Sequence, residues 1–160
     1  MIKEVSGDIL KSKADAIAHG VAPNDDFKQG LALSLREMWP ALYKDFRHHC
    51  HQNHPKSGDI WFWGGPNQTH IYNLFTQEGA YDHGSKPGKA TVEHVNHSLR
   101  KLRNEFEKSE YKSLAITKLA TGVGGLDWAD VKPLIEKHLG DLNKKIIIYS
   151  TYHKDMVAEE

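Results

Sequence analysis

Hydrophobic and polar positions alternate from Ile2 to Ser6 until Gly7-Asp8 breaks the run, which predicts a strand followed by a turn. From Asp15 to Val21 the chain is apolar nearly throughout, the pattern of a strand at the centre of a sheet, covered on both faces. The stretch Ala22 to Gly30 is rich in turn formers and reads as a loop. Leu31, Leu33, Leu35 and Met38 then mark the apolar side of a helix that Pro40 interrupts; Pro40 suits the first turn of a second helix running to about His51. Gly58–Gly64 and Thr69–Thr76 read as a strand pair turning at Gly65-Pro66-Asn67-Gln68. Gln77–Lys89, with its glycines and proline, is a loop. Val92, Val95, Leu99, Leu102 and Phe106 recur at helical spacing within Ala90–Lys108. Leu114–Leu119 reads as a strand, Ala120–Leu126 as a glycine-rich loop, Trp128–Leu139 as a helix stopped by Gly140, and Lys144–Thr151 as the last strand.

Strands alternating with helices, with one hairpin in the middle, predict an α/β domain. The expected architecture is a three-layer α/β/α sandwich around a central mixed sheet, spanning residues 1–152. Residues 153–160 form a polar C-terminal tail expected to fray. A length of 160 residues fits one domain, and 39% hydrophobic content fits a globular chain. Met1 leads straight into the first strand with no space for a secretory signal. The single Cys50 can form no internal disulfide, and both features point to the cytoplasm. Lys plus Arg number 21, as do Asp plus Glu. This balance denies the chain the broad positive field of a generic nucleic-acid binder, and no apolar run is long enough for a membrane span. A phosphate-bearing ligand would therefore be held locally, by backbone amides and helix ends.

Three loops leave the ends of predicted strands: Gly20–Gly30, Thr76–Lys89 and Ala120–Leu126. Ligands of open α/β sheets bind beyond the carboxyl ends of the strands. Thr121-Gly122-Val123-Gly124-Gly125-Leu126 leads into a helix opened by Asp127, an N-cap candidate. Alone this turn is a weak motif, neither a Walker loop nor a dinucleotide fingerprint. It stands, however, in a set: Gly7-Asp8-Ile9-Leu10, Ala16-Ile17-Ala18-His19-Gly20, Gly30-Leu31-Ala32, Thr121 to Trp128, and Val131-Lys132-Pro133-Leu134-Ile135.

With these motifs in order, the chain from about Ile2 to Tyr149 resembles the macrodomain family of ADP-ribose-binding and ADP-ribose-processing modules. The likeness is nearest to the branch of terminal ADP-ribose glycohydrolases and of antitoxins that remove ADP-ribose from DNA. The resemblance implies that Asp8 accepts a hydrogen bond from the adenine amino group, or caps a turn instead, with Ile9 beside the base. It implies that the loop carrying Gly20, Val21, Ala22, Asn24, Gln29, Gly30 and Leu31 wraps the distal ribose and one phosphate. Thr76 and Gln77 open the Thr76–Lys89 loop beside the ligand. Ala120, Thr121, Gly122, Val123, Gly124, Gly125 and Leu126 would hold the diphosphate from the other side, and Tyr149 or Tyr152 would wall the adenine.

The sequence departs from that branch in two places. Its glycohydrolases use a lysine just after the fourth strand, where this chain has Gln77, and an amide neither attacks an anomeric carbon nor takes a proton at neutral pH. Gly124 stands where eukaryotic members place an acid. The remaining catalytic candidates are His19 and the loop acids Asp25 and Asp26. A related phosphatase acting on ADP-ribose 1″-phosphate also carries a histidine at the His19 position. Histidine shuttles protons near pH 7 when exposed and is inert when buried against backbone. Lys86 and Lys89 lie further along the Thr76–Lys89 loop. His48, His51 and His54 invite a metal reading, but no native metal or cofactor is expected. The resemblance supports an ADP-ribosyl hydrolase, an ADP-ribose 1″-phosphate phosphatase, or a reader without catalysis. Its partner would be ADP-ribose or ADP-ribosylated protein, nucleic acid or small molecule. Pairing with a toxin and the oligomeric state, monomer or otherwise, stay open.

Overall fold

The computed structural model describes residues 1–79 and 88–160, so Lys86 lies outside the described residues. Six strands form one sheet: β1 (Ile2–Gly7), β2 (Ala16–Val21), β3 (Ile60–Gly64), β4 (His70–Phe75), β5 (Ser113–Thr117) and β6 (Lys145–Tyr152), in the order β1-β6-β5-β2-β4-β3. Every neighbouring pair is parallel except β3 with β4, the hairpin expected from the central turn. The carboxyl ends of β1, β2, β4, β5 and β6 therefore share one edge of the sheet.

Alternation along the strands explains the layers. Ala16 and Ala18 of β2, Leu114 and Ile116 of β5, and Ile146 and Ile148 of β6 turn to one face. There they meet the apolar stripe of α3 (Val92–Lys108), from Val95 to Phe106, and Val131, Ile135 and Leu139 of α4 (Trp128–Leu139). The other face takes Val21, Ile71 and Phe75, covered by Leu35 of α1 (Gly30–Met38) and by Leu42, Phe46 and Cys50 of α2 (Pro40–Asn53). The result is the expected three-layer sandwich. Among the described residues no helix is long and apolar enough to cross a membrane.

The tail does not fray. Helices α1 and α2 leave part of the second face open over Val5, Ile17, Ala115, Ile147 and Tyr149, and Ala158 packs into that gap. Gly7 permits the approach, since a Cβ there would stand 2.9 Å from the Cβ of Ala158. The amide of Asp8 donates to the Met156 carbonyl (2.8 Å), and that of His153 donates to the Gly7 carbonyl (3.1 Å). The Glu160 carboxylate accepts from Ser12 Oγ, Lys13 N and Tyr149 Oη. A polar composition hid this packing because one alanine, backbone hydrogen bonds and the Glu160 carboxylate carry it.

Candidate functional site

A two-lobed cleft lies beyond the carboxyl ends of β2 and β5. This is the crevice where the chain crosses from the β2-β4-β3 half of the sheet to the β5-β6-β1 half. One lobe, of about 290 Å³, is lined by His19, Gly20, Asp25, Asp26, Gln29, Ala32, Gln77, Ala120, Gly122, Val123 and Gly124. The other, of about 500 Å³, is lined by Gly7, Ile9, Ser34, Tyr149, Ser150 and Tyr152. Gly30, Leu31, Thr117 and Lys118 line both and form the waist.

Backbone donors converge on this cleft. Helix α1 begins at the waist with Gly30 at φ 58°, and its N-cap Gln29 makes no side-chain capping bond. The first amides of α1 and the positive end of its dipole are thus left for a ligand. Opposite, the loop after β5 folds back through Leu126 N donating to the Ala120 carbonyl and Gly125 N to the Gly122 carbonyl, each at 3.0 Å. The amides of Gly122, Val123 and Gly124 find no hydrogen-bond acceptor among the described residues. Gly124 is required by close approach. A Cβ there would fall 2.6 Å from the Ala120 carbonyl oxygen, so an acid cannot replace it without opening the loop.

Two side chains of the first lobe have shifted proton affinity. His19 pairs in register with Asn73 of β4, and their side chains meet at 2.6 Å between Nε2 and Oδ1. Asn73 Nδ2 donates to the Trp61 carbonyl, which leaves Oδ1 as acceptor and fixes the proton of His19 on Nε2. Burial pushes the imidazole down to about 4, with the Asn73 bond opposing, so His19 is neutral at pH 7 and is no proton donor there. Because the unfolded chain takes up this proton first, His19 contributes stability in full above pH 6.5 and loses it as pH falls toward 4. The difference amounts to about 3 kcal/mol. Urea unfolding at the two ends of this window should show that loss in the wild type and much less of it in His19→Gln. Equal pH dependence in the two proteins would contradict the burial account.

Asp25 differs. Its Oδ1 accepts from Phe27 N (2.9 Å) and its Oδ2 from Ala22 N (3.3 Å), yet burial raises its pKa above the ordinary carboxylate range. Asp26 Oδ1 accepts from Lys28 N. The loop is pinned beneath by Phe27, fully buried against Phe46 and Tyr43.

Several expected ligand contacts stand behind the wall instead of on it. Asp8 is buried, and its carboxylate accepts from Leu10 N (3.0 Å) and Asp155 N (2.9 Å), so in this structure it caps a turn and ties down the tail. Val21, Ala22 and Thr76 are fully buried and do not line the cleft. Asn24, at φ 60°, faces a small pocket beside Cys50. Thr121 Oγ1 donates to the Lys118 carbonyl, Gly125 packs on Lys89, and Leu126 packs into the core. Asp127 occupies the N-cap of α4 without a side-chain capping bond. Gln77 does reach the first lobe, but its Nε2 donates to the Gly88 carbonyl at 3.0 Å. Of the two tyrosines, Tyr149 is buried with its hydroxyl on Glu160, and Tyr152 is 57% exposed. The histidines near Cys50 form no metal-binding group among the described residues.

Thr117 and Lys118 were missed by sequence reasoning. The run Leu114–Leu119 reads as one strand, whereas β5 ends at Thr117 and only Leu119 continues into the core. The strand-end rule applied two residues earlier would have found them.

No protein-family model matches the chain. It is 26% identical over 142 residues to the DNA ADP-ribosyl glycohydrolase of Thermus aquaticus, which covers 87% of this chain and 38% of that protein. It is 23% identical over 150 residues to the human ADP-ribose glycohydrolase OARD1, covering 93% and 91%. The solved macrodomain of Thermus aquaticus DarG matches with a TM-score of 0.81 at 25% identity, over 94% of this chain and 98% of that one. The protein folds as a macrodomain. Within that fold its similarities run to the branch of DNA ADP-ribosyl glycohydrolases, although it spans under two fifths of the length of the Thermus aquaticus enzyme.

Proposed function

We propose that the cleft binds ADP-ribose, or a group carrying it, and that the protein hydrolyses an ADP-ribosyl linkage. The observation that carries this reading is the pair of unspent amide sets, at Gly30–Ala32 and Gly122–Gly124, facing each other across a waist between two lobes. In this reading the diphosphate lies at the waist, and the adenine fills the larger lobe against Ile9 and Leu31. Tyr152, with its exposed ring, supplies the stacking wall. The distal ribose enters the lobe of His19 and Asp25. Asp25, with an elevated pKa, accepts a proton from water as the water oxygen bonds to the anomeric carbon. The bond from that carbon to the modified group breaks, and the leaving group takes up a proton. His19 stays neutral and shapes the lobe.

A reader without catalysis is the second reading, favoured by Gln77 in the place of the branch's lysine and by its engagement with Gly88. Incubation with ADP-ribosylated DNA, ADP-ribosylated protein and ADP-ribose 1″-phosphate separates the two. Release of ADP-ribose from any one of them supports hydrolysis and names the linkage. Micromolar binding with no release from all three supports the reader. Absence of binding rejects both.

A further inference from the structure

We propose that Lys118 is the charge-selecting ligand of the cleft, its ammonium set against the diphosphate at the waist; this rests on the ADP-ribose reading above. Of the described residues lining the two lobes, Lys118 alone carries a positive side chain, and it lines both. The first lobe otherwise holds the acids Asp25 and Asp26. Amides at a helix end and in a glycine loop offer partial charges that grip a diphosphate, and a full positive charge at the waist adds to them by offsetting the two nearby carboxylates.

The position is built. Thr117 ends β5, which fixes the backbone of Lys118 on the sheet edge. The ammonium stands 5.7 Å from the centroid of the Trp128 ring, within range of a cation–π contact that steers a flexible side chain without neutralising it. No carboxylate among the described residues forms a salt bridge with it. A lysine at the waist, near an aromatic face and without a salt bridge among the described residues, is available to an anionic ligand.

The assignment makes the cleft selective for ligands with a charged bridge over neutral nucleosides. Wild type, Lys118→Met and Lys118→Arg are titrated with ADP-ribose and with adenosine at low and high salt, with melting curves confirming that each variant is folded. Lys118→Met is expected to weaken ADP-ribose binding about tenfold or more, to flatten its salt dependence, and to leave adenosine binding unchanged. Lys118→Arg retains most of the affinity. Unchanged ADP-ribose affinity and salt dependence in Lys118→Met would overturn the role of the lysine alone. So would an equal loss for adenosine, which marks a structural prop. Failure of the wild-type chain to bind ADP-ribose would overturn the cleft reading and this assignment together.

Discussion

Asp25→Asn is expected to slow release of ADP-ribose from its modified substrate by about a hundredfold or more, the usual range for loss of a general base. Affinity for free ADP-ribose should stay within about threefold, because in the proposed mechanism the residue acts on water and not on the diphosphate. Asn keeps the oxygen that accepts from Phe27 N at 2.9 Å, but its Nδ2 then faces the Ala22 amide as donor against donor where the 3.3 Å bond was, so melting curves accompany the assay to confirm folding. The wild-type rate should rise with pH through a value above the ordinary carboxylate range, since burial favours the protonated form and only the ionised form accepts a proton. Single-turnover measurements across pH check both statements. Retention of full turnover by Asp25→Asn would remove Asp25 from the mechanism.

Phe27→Ala is expected to destabilise the fold by about 3–5 kcal/mol, the range for truncating a buried aromatic ring. The ring is wholly buried, 4.7 Å from Phe46 and 5.5 Å from Tyr43 between centroids, and edge-on to His19 at 6.1 Å. Phe27 also sits at φ 55°, a conformation that a non-glycine residue adopts only when packing holds it there. Releasing the ring frees the backbone between Ala22 and Gly30, so Asp25 and the first turn of α1 lose their placement together. Denaturant unfolding combined with ADP-ribose titration should show both losses. A stable variant that binds as tightly as wild type would mean that the loop is held by its turns alone.

The periodicities of the chain carried most of the fold. Two-residue alternation in β1, the continuous apolar run of β2, the central hairpin and the three- and four-residue spacing in α3 all reappear in the structure. They are local patterns read out by burial on one or two faces. The region of the site was legible for a related reason: strand-end loops carrying Gly30 and Gly122–Gly124 must come to one edge of a parallel sheet. Pairings across strands were not legible. Nothing near His19 in sequence announces Asn73, yet that partner and burial together decide its protonation. Nor does anything near Asp8 announce Asp155, 147 positions away. Phe27 was hidden among turn formers, and Lys118 behind the apolar Leu119 that made β5 look longer than it is.

The most direct measurement is an amide chemical-shift titration of the protein with ADP-ribose. Gripping of the diphosphate by two opposed sets of backbone donors predicts saturable shifts that are largest at Gly30–Ala32 and at Gly122–Gly124 together. Shifts confined to one of these segments, or centred elsewhere on the surface, or none at millimolar ligand, would contradict it.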